Sequence, residues 1–172
     1  MTSSAKHAVI AGGLGVIGRN LVTHLSQQPD WKVTAISRRH PDFETSAAFL
    51  SVDLTDPGAT RSALNGLKDV THVFYAAYQK HDDPKMQVEV NLAMLRNLVE
   101  AVDGSAPSLS RVILYEGAKY YGAHLGAFPT PAVESDPRQM PPMFYYDQED
   151  WLRSKAASRP WDMVVLRPDV IC

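Results

Sequence analysis

The chain has 172 residues, 17 Lys and Arg against 19 Asp and Glu, and a formal net charge of −2. That length fits one domain with a sizeable core. A charge so near zero gives no reason to expect a nucleic-acid or membrane surface. The sequence opens on no apolar run of signal-peptide type and contains no stretch long enough to span a bilayer, so a cytoplasmic protein is the simplest expectation. A single cysteine, Cys172, excludes an internal disulfide and offers no metal cluster.

The first element is a buried strand, the apolar run Ala8 to Ala11. Three glycines spaced three apart follow it, Gly12, Gly15 and Gly18. A strand, a glycine turn and a helix in that order make a dinucleotide site. Gly12 suits the tight turn, Gly15 lets backbone approach a pyrophosphate, and Gly18 lets the helix pack closely on the strand. The phosphates would sit on the free N–H groups of Val16, Ile17 and Gly18 at the positive helix end. Ile17, Leu21 and Leu25 recur every four residues and predict the apolar face of that helix.

The second strand is predicted over Trp31–Ile36 and is followed by Ser37-Arg38-Arg39. In a dinucleotide fold this position lies against the adenosine ribose, where an acidic side chain would accept from the 2′-hydroxyl. Here a serine and two arginines stand instead. Guanidinium forks bind phosphate, so the expectation is NADP(H) with Ser37, Arg38 and Arg39 on the 2′-phosphate. A third strand over Phe49–Val52 ends in Asp53-Leu54. Asp53 either accepts from the adenine amino group or serves as a turn or helix-capping residue. Thr55-Asp56-Pro57 starts a helix. The fourth strand, Thr71–Ala77, ends in two small residues, Ala76 and Ala77, which would let backbone run close to the cofactor.

Residues 84–103 give the clearest helix, with Val88, Leu92, Leu95, Val99 and Val102 at helical spacing. Asn91 interrupts this face, either as a satisfied polar residue or as one that orients strand backbone near the site. Arg111–Tyr115 is a fifth strand. Residues 117–143 are rich in Gly and Pro and read as a long loop leaving the carboxyl end of a strand, where such sheets bind ligands. A helix starting at Phe144 and a sixth strand over Trp161–Pro168 complete the pattern. Strands alternating with helices imply right-handed crossovers and an α/β, doubly wound parallel sheet.

Several motifs, in order along the chain, resemble the extended short-chain dehydrogenase/reductase superfamily. Within it they are most similar to the progesterone 5β-reductase/iridoid synthase-like enone reductases. They are Gly12-x-x-Gly15-x-x-Gly18, Trp31-Lys32-Val33, Ser37-Arg38-Arg39, Asp53-Leu54 and Asp69 to Tyr75. Gly117-Ala118-Lys119-Tyr120-Tyr121-x-Gly, Phe144-Tyr145-Tyr146-Asp147-Gln148-Glu149-Asp150 and Arg167-Pro168 follow.

The resemblance implies a Rossmann-like NADP-binding domain over residues 1–172, the N-terminal part of a longer reductase whose substrate-binding portion is missing. It also implies an oxidoreductase that reduces small-molecule α,β-unsaturated carbonyls with NADPH, and a homodimer through helices flanking the sheet. Lys119 and Tyr145 are then the catalytic residues, the phenol and the nearby cation stabilising an enolate. Tyr115 and Lys119 show the Tyr-x-x-x-Lys spacing of other superfamily members, but Tyr115 ends a strand, where four residues do not make a helical turn. Tyr115 and Glu116 stand where the family carries small polar residues, and Glu116 would compete for the charge of Lys119. Tyr78 replaces a frequent tryptophan, and Asp169-Val170 replace Gly-Asn after Arg167-Pro168. An epimerase/dehydratase-like enzyme and a non-catalytic NADP(H)-binding sensor remain as alternatives.

Overall fold

The computed structural model describes residues 5–169 and 171; Val170 and Cys172 lie outside the described residues. Six parallel strands form one sheet: β1 (Lys6–Ala11), β2 (Trp31–Ser37), β3 (Ala48–Ser51), β4 (His72–Tyr75), β5 (Arg111–Tyr115) and β6 (Asp162–Leu166). Their spatial order is β3-β2-β1-β4-β5-β6. The connecting helices are α1 (Val16–Ser26), α2 (Pro57–Leu64), α3 (Pro84–Ser105) and α4 (Phe144–Ala156). The chain winds outward from β1 to β3, then crosses back to β4 and winds the other way. The doubly wound α/β fold expected from the alternation is the fold observed.

β1 is central, pairing β2 on one side and β4 on the other with Ala8 in register with Val33 and His72, and hydrophobic layers cover both of its faces. That explains its near-continuous apolar run. The strand begins earlier than its apolar residues do, because buried His7 is satisfied. Its Nδ1 donates to the Asp69 carboxylate at 2.8 Å and its Nε2 accepts from the Thr34 hydroxyl at 2.9 Å. Burial pushes the imidazole pKa down, which keeps it neutral, while Lys32 and His7 together hold Asp69 down at about 2.

Two hydrophobic layers flank the sheet. On one face Ala8, Ile10, Val33 and Ala35 pack with Val22 and Leu25 of α1, closed at the edge by Phe43 and Phe49. On the other, Val9, Ala11, Val73 and Leu114 meet Leu64 of α2, Leu95 and Leu98 of α3, and Leu152 of α4. The buried stripe of α1 is Gly18, Val22 and Leu25, so Ile17 and Leu21 sit only partly buried at its margin. The helix presents its smallest residue to the glycine turn, which turns the larger side chains aside.

Helix α2 starts at Pro57 with the Asp56 carboxylate accepting from Gly58 N–H at 2.8 Å and Ala59 N–H at 2.9 Å, a side-chain cap with proline at the first position. The stretch 117–143 is not all loop. A 3-10 turn, Ala118–Tyr121, opens it, and its far end is tied to α4. There Arg138 makes a two-pronged contact with Asp150 at 2.7 Å on each prong. No helix of the described residues is long and apolar enough to cross a membrane.

Candidate active site

The strand order reverses beside β1, and the crevice at the carboxyl ends of β1 and β4 is where sheets of this kind take ligands. Gly12 turns there with φ +79°, a conformation that favours glycine. A β-carbon at Gly12 would lie 2.6 Å from the Ala76 carbonyl oxygen. The turn is pinned by Gly12 and Gly13 N–H groups donating to Ile36 O, both at 3.1 Å. At Gly18 a β-carbon would fall 2.2 Å from Gly12 O, so helix and turn touch backbone to backbone.

Gly15 precedes α1 in an extended conformation with no side chain capping the helix and no acidic residue in its first turn. The Val16, Ile17 and Gly18 N–H groups therefore lack both intrahelical acceptors and a competing carboxylate, leaving an opening for an anion.

A cleft of about 610 Å³ runs from this turn over the carboxyl ends of the strands. Gly12, Gly15, Val16, Ile17, Ser37, Arg38, Arg39, Asp53, Leu54, Ala76 and Ala77 all line it. Gly18 does not; its part is the close contact of α1 with the glycine turn. Arg38 and Arg39 are exposed and make no ion pair among the described residues, and the Ser37 hydroxyl accepts from the Arg39 N–H at 3.3 Å. Asp53 uses one carboxylate oxygen in a turn, accepting from Thr55 N–H at 2.9 Å and Thr55 hydroxyl at 2.8 Å. These contacts, with a smaller contribution from Arg38, hold its pKa below the usual range. The cap of the following helix is Asp56.

The other end of the cleft is aromatic and belongs to α4. Tyr145 lines it and Tyr146 does not. The Tyr146 hydroxyl is committed, donating to Tyr120 O at 2.7 Å and accepting from Gln139 N–H at 2.8 Å. The Tyr145 hydroxyl has no hydrogen-bond partner among the described residues. It lies over Gly117, where a β-carbon would be 3.5 Å from it. Burial chiefly, then the negative charge of Glu116 and the neighbouring Tyr78, push the Tyr145 phenol up to about 12. It is a protonated donor throughout neutral pH.

Lys119 does not line the cleft with this phenol. It is exposed on the 3-10 turn, absent from the cleft lining, and its charge bears on His124, whose imidazole is pushed down by burial and then by that lysine. The expected competition between Glu116 and Lys119 is also replaced: Glu116 takes Arg167, whose Nε donates to it at 2.7 Å. Tyr115 closes β5 and Ala118 opens the 3-10 turn, so Tyr115 and Lys119 share no helix.

Sequence reasoning left out Gln79, Met94, Phe144 and Gln148 from the lining, and did not place Tyr115 and Glu116 there either. Tyr78 stacks on Phe144 with centroids 5.3 Å apart. Fully buried Asn91 fixes the segment after β4, accepting from Gln79 N–H at 2.9 Å and donating to Gln79 O at 2.7 Å. Of its two readings, orientation of backbone near the cleft is the one its contacts match. Gln148 donates to Asn91 O at 2.8 Å, tying α4 to α3 below the cleft. A buried polar residue on an apolar helix face was the only signal for either.

The profile of the PRISE-like Rossmann-fold domain matches residues 53–172. The chain is 36% identical to a 3-oxo-Delta(4,5)-steroid 5-beta-reductase of Arabidopsis thaliana over 84% of this chain and 40% of that protein. It is 35% identical to an (S)-8-oxocitronellyl enol synthase of Nepeta racemosa over 95% of this chain and 46% of that protein. The chain thus spans less than half the length of these two relatives. Among solved structures, a UDP-glucose 4-epimerase of Thermus thermophilus in complex with NAD superposes with a TM-score of 0.78, covering 94% of this chain and 54% of the epimerase. At 23% identity that likeness speaks to the fold. With a family match over residues 53–172, more than half of the chain, taking in β4 to β6 and the tyrosine helix α4, the chain belongs to the PRISE-like Rossmann-fold domain family.

Proposed function

We propose that the chain binds NADP(H) along this cleft and activates an α,β-unsaturated carbonyl for reduction. The observation that carries the reading is the unpartnered Tyr145 hydroxyl at the far end of a cleft that begins at the glycine turn. The bare helix start of Val16 to Gly18 suits the pyrophosphate, and Arg38 with Arg39 suits a 2′-phosphate, since no carboxylate at the end of β2 repels it. When bound, the reduced cofactor supplies a hydride to the β-carbon of the enone and is itself oxidised, while the double-bond electrons pass to the carbonyl oxygen.

Tyr145 donates a hydrogen bond to that oxygen as its negative charge grows. Because the phenol holds its proton well above neutral pH, it acts as a donor, and a proton from solvent completes the α-carbon. Lys119 is assigned a supporting role at longer range, consistent with its exposed position. Phe144, Tyr78 and Met94 give the substrate end an apolar wall.

The test is oxidation of NADPH with 2-cyclohexen-1-one by this chain, by Tyr145→Phe and by Lys119→Ala, with NADH for comparison. NADPH-selective turnover that is lost in Tyr145→Phe and only reduced in Lys119→Ala is the expected result. Cofactor binding with no turnover of any enone would replace the reading with that of an NADP(H)-binding protein.

A further inference from the structure

Glu116 follows β5 directly, and its N–H donates to Leu166 O at 2.9 Å. Its side chain is fully shut off from solvent, at 0% exposed. One carboxyl oxygen accepts from Arg167 Nε at 2.7 Å; the other, Oε1, is buried with no partner. An orphaned buried oxygen of this kind is uncommon.

The arginine that holds Glu116 is shared. A terminal nitrogen of Arg167 donates to Glu149 at 2.8 Å, and Glu149 also receives Arg153 at 2.6 Å and Arg138 at 3.4 Å. The Arg167 guanidinium carbon lies 3.6 Å from the Tyr120 ring centroid, which fixes its orientation between the two carboxyls. Glu149, with three cations, is held below the usual carboxylate range despite its burial. Glu116, with half of one guanidinium, is pushed up by burial to about 7, against the pull of Arg167 and, more weakly, Arg138, and with the charge of Glu149 adding to the rise. The remaining titratable groups around it are Tyr145 on α4, Tyr115 at the end of β5, and Tyr120 and Tyr121 on the 3-10 turn. Beyond them, Tyr78 neighbours Tyr145 and Asp150 neutralises Arg138.

We propose that Glu116 is a proton-controlled positioning residue acting through Tyr145: neutral, it leaves the phenol free to stabilise an oxyanion in the cleft, and ionised, its charge opposes that stabilisation. The inference rests on the reductase reading. Its physical basis is like-charge repulsion in a poorly solvated site. The Tyr145 hydroxyl lies over Gly117, the residue next to Glu116, so a carboxylate there disfavours further negative charge at the phenol, and its protonation removes that penalty. Glu116 belongs to the cleft wall, but its side chain is shut off from solvent and makes no hydrogen bond to Tyr145 among the described residues, so its effect is transmitted as charge.

Two readouts separate the inference from the reading beneath it. The first is the NMR resonance of the Tyr145 ring carbon bearing oxygen, in protein labelled with ¹³C-tyrosine and assigned with Tyr145→Phe. A step near neutral pH in wild type that vanishes in Glu116→Gln is expected, with no turnover required. The second is the pH profile of enone-dependent NADPH oxidation. Wild-type turnover falls about tenfold as pH rises through neutrality, whereas Glu116→Gln runs flat through that range. A wild-type Tyr145 resonance with no step near neutrality overturns the inference without any variant, as does a step that persists in Glu116→Gln. If the step is present and vanishes as expected but no chain turns over an enone, the coupling stands and the reductase reading falls.

Discussion

The Tyr146 hydroxyl sits 2.7 Å from the Tyr120 carbonyl oxygen and donates to it. That bond gives two adjacent tyrosines opposite duties, because it consumes the proton of one phenol and leaves its neighbour's unspent. Tyr146→Phe should cost stability, since it strips Tyr120 O and Gln139 N–H of partners, by roughly 1–3 kcal/mol. Tyr145→Phe should cost almost none, as its hydroxyl bonds to nothing among the described residues. Urea melts of the two variants check this, and equal losses would contradict the assignment of roles.

The carboxyl of Glu116 should also be visible in folding. Its folded pKa of about 7 stands above the ordinary 4.5, so between those values the folded chain holds a proton that the unfolded chain has released. Stability from this group is therefore lost as pH rises from about 4.5 to about 7, and the full penalty, roughly 3 kcal/mol, persists above that. His7 and His72 act with the opposite sign. Their folded pKa values are pushed below 6.5, so their contribution is present above 6.5 and lost on acidification. Comparing unfolding free energies of wild type and Glu116→Gln at each pH cancels the histidines. The difference should move in favour of the variant as pH rises through this window.

The glycines divide by what surrounds them. Gly18→Ala places a β-carbon 2.2 Å from backbone oxygen and should destabilise by about 1–3 kcal/mol or more while weakening cofactor binding. Gly104, in the last turn of α3, has open space around it. Alanine there should stabilise by roughly 0.5–1 kcal/mol. Thermal melts of both read the contrast, and a neutral Gly18→Ala would contradict the backbone contact.

Arg38→Ala with Arg39→Ala should weaken NADPH binding by roughly tenfold to a hundredfold, the loss of charge-assisted hydrogen bonds to one phosphate. NADH binding should change little. Fluorescence titration with both cofactors measures the ratio, and equal losses would remove the 2′-phosphate argument.

The strands, their alternation with helices and the glycine turn were legible because each is a local or periodic pattern. The end of the cleft at the glycine turn was legible for the same reason: Gly12, Ser37, Asp53 and Ala76 all stand at or just past strand ends, and parallel strands bring their ends together. Where local polarity ran against the fold, reading failed. His7 hid the start of β1 because its partners, Asp69 and Thr34, are distant in sequence. The apolar face of α1 turned by one residue because the contact of Gly18 with Gly12 outranks the burial of Ile17. Lys119 shows the same limit from the other side. The motif supplies the residue, but on the 3-10 turn after Gly117 it stands exposed and outside the cleft lining.

The sequence by itself determined the fold class, the glycine turn and the Phe144-Tyr145-Tyr146 motif. Strand periodicity, glycine spacing and residue chemistry are properties of short stretches. Only the tertiary structure decided which phenol is free, that Arg167 rather than Lys119 meets Glu116, and that one oxygen of that carboxyl is left alone. Those outcomes depend on β5, the 3-10 turn, α4 and the residues after β6 converging on one point. Burial at that point sets the charge state of Glu116, and no stretch of the chain carries that information alone.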